Sequence, residues 1–280
     1  MTLLEGKPIA ANIQEQIKAR IKGLKSAPVL ASIMVGDNPG AESYVKSQNK
    51  LAQALGIDYR FNKLPADTSE AGLLDIIKKL NADSSINGII IQMPLPAQID
   101  YKKISGFIAP SKDIEGMNPA NIGKVLFGKA KILPCTAASC MELINATGID
   151  LCGKEVVIVG HSEIVGKPLS LMLLDRLATV TVCHIGTSKA GKLEEHVRKA
   201  EILVVAVGKA GLIKGEWVRQ GAAVIDVGIN RVNDKIVGDV EFDEAQKRAG
   251  WITPVPGGVG PLTVTMLMRN VVEAAANGDR

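Results

Sequence analysis

Apolar runs of strand length alternate along the chain with stretches whose apolar residues recur at helical spacing. Pro28 to Val35 reads as a buried strand, and Ala41 to Leu55 as an amphipathic helix stopped by Gly56. Ile57 to Leu64 reads as a second strand, and Ser69 to Leu80 as a helix with Ser69 at its N-cap. Asn87 to Met93 is a third strand, closed by Pro94-Leu95-Pro96. Near-continuous apolar strands separated by helices predict a parallel sheet covered on both faces. The pattern then breaks. Ser111 to Pro134 is rich in Gly, Pro, Asn and Lys and reads as a hinge between domains. A helix from about Thr136 to Asn145 follows, then strand Val156–Val159, helix Val165–Leu177, strand Thr179–Cys183, helix Leu193–Ala200 and strands Ile202–Val207 and Ala223–Val227. That is a second βαβ array. Leu262 to Ala276 is a final helix whose destination its periodicity does not fix.

A chain of 280 residues is long for one core and comfortable for two domains. The net charge is +4, with acidic and basic residues interspersed as on the solvated stretch Lys189 to Lys199. With no interleaving of Arg and aromatic residues, nucleic acid is excluded as a partner, although a slightly basic surface suits an anionic ligand. No apolar run reaches membrane-spanning length, and Met1 to Lys7 lacks a signal-peptide pattern, so a cytoplasmic protein is expected. Cys135, Cys140, Cys152 and Cys183 form no Cys-x-x-Cys pair and read as buried free thiols. His161, His184 and His196 lie away from acidic clusters with ligand spacing, so no structural metal is expected.

Five segments carry candidate chemistry. Tyr44 and Gln48 stand four apart and share a helix face. A Lys at 48 would transfer protons; a Gln cannot. Gln92 puts an amide at the carboxyl end of a strand. Lys112 to Pro119 places Asp113 and Glu115 two apart in an irregular segment that, read alone, is a solvated turn. Val156 to Pro168 is strand, turn and helix. Gly160 allows a sharp turn, Gly166 lets the helix approach the sheet, and free N–H groups at the helix start can hold a pyrophosphate. Ser162 stands where the second fingerprint glycine would be, so the residues alone also fit an ordinary strand-to-helix turn. A cofactor ribose would meet His184 to Ser188, which offers neither the acid that favours NAD nor the Arg that favours NADP, while His161 can donate to a 2′-phosphate. Finally, Pro254 to Pro261 holds three Pro and three Gly within eight residues. Cis-proline or positive φ there would bring backbone close to a ligand, and the segment reads as a site.

In this order, these pieces resemble the methylenetetrahydrofolate dehydrogenase/cyclohydrolase (FolD-type) family. The resemblance is carried by the Tyr44-Val45 helix, Gln92-Met93-Pro94-Leu95-Pro96, Lys112-Asp113-Ile114-Glu115-Gly116, Pro134-Cys135-Thr136, Gly160-His161-Ser162 with Val165-Gly166 and Pro168, Asp226-Val227-Gly228-Ile229-Asn230, Gly238-Asp239-Val240 and Pro254 to Thr263. It covers nearly the whole chain. It implies an α/β fold: an N-terminal α/β catalytic domain over 1–118 with helix 262–280 packing back on it, a Rossmann-type parallel-sheet NAD(P)-binding domain over 119–261, and a folate cleft between them. It implies a homodimer through the Rossmann domain. The implied chemistry is hydride transfer from methylenetetrahydrofolate to NAD(P)+, then hydrolysis of methenyltetrahydrofolate.

The resemblance also implies site residues. Tyr44, Gln48, Gln92 and Asp113 fall at catalytic positions. Tyr44, Gln92, Glu115, Pro256, Gly257, Gly258 and Val259 bind the folate. Gly160, His161, Ser162, Val165, Ile185, Ile229, Gly257 and Thr263 line the cofactor. Three departures stand out. The family usually carries at 48 the Lys assigned to proton transfer in the hydrolysis. Glu115 replaces an Asp, where a carboxylate suits two donors on the pterin ring. His161 and Ile185 replace an Arg and a Ser, leaving NAD open beside NADP. A dehydrogenase with impaired cyclohydrolase activity is therefore expected. The alternatives are an ordinary bifunctional enzyme and a non-catalytic folate- or dinucleotide-binding relative. An unrelated shikimate-type dehydrogenase leaves Pro254 to Thr263 unexplained.

Overall fold

The computed structural model describes residues 1–278; the end of the expected helix 262–280, at Asp279 and Arg280, lies outside them. In chain order the elements are β1 (Thr2–Leu3), α1 (Gly6–Ile21), β2 (Val29–Val35), α2 (Pro39–Leu55), β3 (Asp58–Leu64), α3 (Glu70–Ala82), β4 (Gly88–Ile91), α4 (Tyr101–Ser105), α5 (Pro119–Leu126) and α6 (Cys135–Ala146). They continue with β5 (Glu155–Val159), α7 (Gly166–Leu174), β6 (Thr179–Cys183), α8 (Ile185–Lys189), α9 (Leu193–Lys199), β7 (Ile202–Val205), β8 (Ala223–Asp226), β9 (Asn230–Val232), β10 (Lys235–Val237), α10 (Phe242–Ala245), β11 (Trp251–Ile252) and α11 (Val259–Gly278).

The chain divides into two units. One comprises Asn12–Leu133 with the chain from Val264 onward; the other comprises Met1–Ala11 with Pro134–Thr263. These bounds differ from the 118/119 division read from the sequence at both ends. Met1–Ala11 joins the later unit because β1 pairs in parallel with β11, Thr2 opposite Trp251. Residues 119–133 stay with the earlier unit because Asn118 and Asn121 hydrogen-bond back into it and Asn270 of α11 donates to the Leu133 carbonyl.

The first unit is built on a three-stranded parallel sheet of order β3-β2-β4. Val29, Ala31, Ile33 and Val35 alternate onto one face of β2 and form a core with Leu73 and Ile77 of α3 and Ile89 and Ile91 of β4. Ser32 lies on the opposite face and is fully buried. The sheet departs from the expectation of strands covered on both faces at β3, whose sequence DYRFNKL is mostly exposed. It is an edge strand and needs no continuous apolar run. The expected hinge also contains a helix, α5. Asn118 is its N-cap, accepting from the Ala120 N–H, and Pro119 occupies its first position. Helix α1, whose residues divide between the two units, buries only Ala10, Ile13 and Ile17 among its apolar side chains, which explains its absence from the periodicity reading.

The second unit carries a six-stranded, fully parallel sheet of order β1-β11-β8-β7-β5-β6. Helix α9 packs Leu193 and Val197 onto a core with Val157, Leu203 and Val224. From β5 the chain moves to β6 on one side, then crosses to β7 on the other. Strand order therefore reverses between β5 and β7. In open α/β sheets ligands bind beyond the carboxyl ends of the strands at such a reversal. Cys140 and Cys183 are buried as expected, whereas Cys135 is half-buried and Cys152, in the turn before β5, is exposed.

Candidate active site

In the first unit the site begins with α2. Asn38 caps its start by accepting from the Ala41 N–H, and Gly56, at φ 84°, ends it. Its buried stripe is Ala41, Val45, Gln48, Ala52 and Leu55. Gln48 therefore points into the unit, while Tyr44, one turn earlier, is 56% exposed at the rim. Lys46 and Lys50 are exposed and turn away from that stripe. Gln48 Oε1 accepts from Tyr59 Oη at 2.9 Å and from Gln92 Nε2 at 2.8 Å. Gln92 Nε2 also donates to Ser32 Oγ at 3.0 Å. The carbonyl of Gln48 is thus filled. Burial pushes the Tyr59 phenol up to about 12, with its hydrogen bond to Ser32 acting the other way.

The Lys112–Asn118 segment is not the solvated turn read from its sequence. It runs beside β4, the Ile89 N–H donating to the Lys112 carbonyl at 2.8 Å, and both Asp113 and Ile114 are buried. Lys112 Nζ donates to the carbonyls of Leu80, Asn81 and Asp83 at 2.7–2.8 Å, so an ammonium caps the carboxyl end of α3. Asp113 Oδ2 accepts from the Asn118 N–H and from Asn121 Nδ2, at 2.7 and 2.9 Å, fixing the start of α5.

Glu115, heavily surrounded by protein but partly open at its surface, is pushed up to about 7 by burial and then by the nearby Asp113 charge. Tyr101 Oη, 3.4 Å from Oε2, works against this. A carboxyl group held above its unfolded value of 4.5 binds its proton more tightly in the folded state. Its stabilising contribution is full below that value and is lost as pH rises through about 7. The Tm difference between wild type and Glu115→Gln is therefore expected to move against wild type by several degrees between pH 5 and pH 8. Paired thermal melts check this; parallel curves would show that Glu115 does not titrate in this range.

In the second unit, Gly160 ends β5 at φ 127°, and a Cβ there would collide with the Ala206 carbonyl. A Cβ on Gly166 would collide with the Gly160 carbonyl, which brings the start of α7 against the turn. Ser162 Oγ accepts from the Val165 N–H at 3.2 Å, and the Val165 side chain is buried. His161 and His184 stand with ring centroids 5.2 Å apart, and His184 Nδ1 accepts from the Gly186 N–H. Ile185, Val207 and Ile229, at the carboxyl ends of β6, β7 and β8, are 66%, 38% and 60% exposed. Glycines at contact distance beside an exposed aliphatic ledge fit a dinucleotide: backbone can approach a pyrophosphate while apolar side chains cover the rings.

At the end of β8, Asp226 accepts from the N–H groups of Gly228, Asp239 and Val240, and Asp239 accepts from those of Val207, Gly208 and Lys209. Burial raises Asp226 to about 6. The Pro254 loop has a cis Val255–Pro256 bond, Gly257 at φ 118°, and the Gly258 N–H donating to the Pro254 carbonyl at 2.8 Å. The Gly257 carbonyl accepts from the Gly6 N–H, and a Cβ on Gly6 would collide with the Gly258 carbonyl. Val259 opens α11, and Thr263 Oγ1 donates back to its carbonyl at 3.3 Å.

Tyr44, Gln48, Gln92, Asp113 and Glu115 thus belong to the first unit. Gly160, His161, Ser162, Val165, Ile185, Ile229, Pro256, Gly257, Gly258, Val259 and Thr263 belong to the second. Sequence reasoning missed Ser32 and Tyr59, although one hydroxyl inside an apolar strand is a signal for the former. It gave Asp226 and Asp239 no role. Among the described residues no group of three or more His, Cys, Asp or Glu could hold a metal, and no helix is long and apolar enough to cross a membrane.

Residues 4–115 match the family model described as "Tetrahydrofolate dehydrogenase/cyclohydrolase, catalytic domain", and residues 134–279 its "NAD(P)-binding domain". The chain is 48% identical over 277 residues to "Bifunctional protein FolD" of Moorella thermoacetica, covering 98% of each chain. It is similar to the crystal structure of the bifunctional FolD methylenetetrahydrofolate dehydrogenase/cyclohydrolase from Campylobacter jejuni, with a TM-score of 0.95, 45% identity and 99% of each chain covered. A Trypanosoma brucei FolD solved with NADP cofactor and inhibitor gives a TM-score of 0.94 at 37% identity, covering 100% of this chain and 99% of that one.

Proposed function

Because the chain belongs to the tetrahydrofolate dehydrogenase/cyclohydrolase family, we propose that it oxidises methylenetetrahydrofolate with NAD(P)+ and is impaired in hydrolysing the methenyl product. One observation carries the second half: the residue where the family usually has Lys is Gln48, whose carbonyl is occupied by Tyr59 and Gln92.

Oxidation asks little acid–base chemistry of the protein. The folate nitrogens delocalise the cation left when hydride departs, so the chain has mainly to bind and align. Bound NAD(P)+ supplies the hydride acceptor. The Gly160–Gly166 turn and the ledge of Ile185, Val207 and Ile229 support the cofactor role of the second unit. On the first unit, Tyr44 is exposed enough to stack on a planar ring, and Glu115, when ionised, can accept two pterin donors.

Hydrolysis asks more. Water adds to the methenyl carbon, loses a proton from its oxygen, and one folate nitrogen gains a proton as its bond to that carbon breaks. A titratable group contributes about 10²–10⁴-fold to such a step. Gln48 can orient water through Nε2 but can neither take nor return a proton. By the same resemblance we read the protein as a cytoplasmic homodimer formed through its second unit.

The test is to mix protein, methylenetetrahydrofolate and NADP+ or NAD+ and follow full absorbance spectra. The expected result is reduced cofactor with methenyltetrahydrofolate accumulating and decaying no faster than without protein. Reduced cofactor without accumulation would identify an ordinary bifunctional enzyme, and folate binding without turnover a non-catalytic relative.

A further inference from the structure

The crevice where strand order reverses has two walls, the turn after β5 and the loop after β7. The first has its own scaffold in Gly160, Ser162 and Gly166. The second, Val207–Lys209, is exposed and has no helix following it directly. What holds it is a buried carboxylate 30 residues further along the chain. Asp239 Oδ2 accepts from the Val207 and Gly208 N–H groups at 2.8 and 3.0 Å, and Oδ1 accepts from the Lys209 N–H and from Asn230 Nδ2, both at 2.8 Å. Asp239 is itself held. Its N–H donates to Asp226 Oδ1 at 3.0 Å, and the Val240 N–H donates to Asp226 Oδ2 at 2.9 Å. Asp226 Oδ1 also takes the Gly228 N–H at 2.9 Å, one residue before Ile229. The packing leaves no slack: a Cβ on Gly238 would collide with the Asp226 carboxylate, and one on Gly228 with that of Asp239. The Asp226 N–H, in turn, donates to Thr253 Oγ1 at 2.8 Å, which anchors the entry to the Pro254 loop.

We propose that Asp226 and Asp239 are positioning residues for NAD(P)+, a two-carboxylate relay that fixes loop 207–209 and Ile229 as one wall of the cofactor crevice. The pair touches no reacting atom. It converts six backbone N–H groups of three separate loops into one rigid surface, at the cost of placing two carboxylates in the same buried network. The inference rests on the reading that this crevice takes NAD(P)+.

Asp239→Asn tests it. An amide presents one oxygen, so it can satisfy either the 207–208 donors or the Lys209–Asn230 pair, and its NH2 meets N–H groups on the other side. Isothermal titration is expected to give a Kd for NADP+ and NAD+ raised at least about tenfold, more in Asp239→Ala. At saturating cofactor, kcat and the KM for methylenetetrahydrofolate should stay within about twofold of wild type. A general structural defect would move the folate KM as well. Cofactor Kd within twofold of wild type in folded Asp239→Asn would overturn the relay. Amide hydrogen exchange on the unaltered protein gives an independent check that needs no variant. The amides of the exposed residues Val207, Gly208 and Lys209 should be protected without cofactor; rapid exchange there would also overturn it. Wild-type protein that binds neither NAD+ nor NADP+ would instead defeat the functional reading, and the relay's role with it.

Discussion

Gln48→Lys is expected to raise the rate of methenyltetrahydrofolate hydrolysis by about 10²-fold or more, within the range a positioned acid–base group supplies. It should change the dehydrogenase kcat by less than about threefold, because hydride transfer depends on alignment rather than on a proton at this point. The surroundings of residue 48 favour the gain. An ammonium there would lie near Tyr59 Oη and the Gln92 amide, both now within 2.9 Å of Gln48 Oε1. Tyr59, raised to about 12, stays neutral at physiological pH and offers a lone pair rather than a competing charge. Gln92 can turn its carbonyl oxygen toward the new donor. The position is buried, and burial lowers a lysine toward the range where it exchanges protons readily. Decay of purified methenyltetrahydrofolate, with and without each protein, measures the effect. Wild type hydrolysing as fast as the variant would mean that another group transfers the proton.

The two sites were legible in the sequence to different degrees, for physical reasons. Helical spacing alone put Tyr44 and Gln48 on one helix face, because a face repeats every three to four residues whatever the tertiary context, but it did not distinguish the buried Gln48 from Tyr44, which is 56% exposed. The Pro and Gly density of the Pro254 loop likewise announced a controlled backbone, and Val255–Pro256 and Gly257 supply it. Asp113 was harder. Two carboxylates in an irregular segment look solvated until the partners that bury one of them, Asn118 and Asn121, are seen to sit at the N-cap and in the first turn of a helix. That helix was hidden because Asn118-Pro119 has the composition of a turn while serving as N-cap and first helical residue. Least legible was the relay of Asp226 and Asp239. Its partners are backbone amides of loops, which carry no side-chain signature and no period.

Gly160→Ala is expected to abolish useful NAD(P)+ binding, raising Kd by about 10²-fold or more, while folate binding, through the role proposed for Tyr44 and Glu115 of the first unit, survives. Two effects act together. At φ 127° a side chain sits in a region that only glycine occupies readily, costing on the order of 1–3 kcal/mol. The added Cβ would also collide with the Ala206 carbonyl, a backbone atom that cannot rotate away. Ala206 is itself tied to β5 by its N–H bond to the Val159 carbonyl at 2.8 Å, and Gly160 to β6 by its N–H bond to the Cys183 carbonyl at 2.9 Å. The strain therefore falls on the two walls of the crevice. Losing 1–3 kcal/mol of cofactor binding to the backbone strain alone is about 5- to 140-fold in Kd, and the collision adds to it. Gly153→Ala controls for lost stability: Gly153, in the turn before β5, is at φ 72° with no atom within 4 Å of a Cβ, so it carries a milder left-handed cost with no collision. It should lower Tm by a few degrees, at about 2–4 °C per kcal/mol, and leave cofactor affinity unchanged. Calorimetric titration and thermal melts of both variants decide the matter. Equal losses of affinity in the two would assign the effect to lost stability rather than to the collision at the β5 turn.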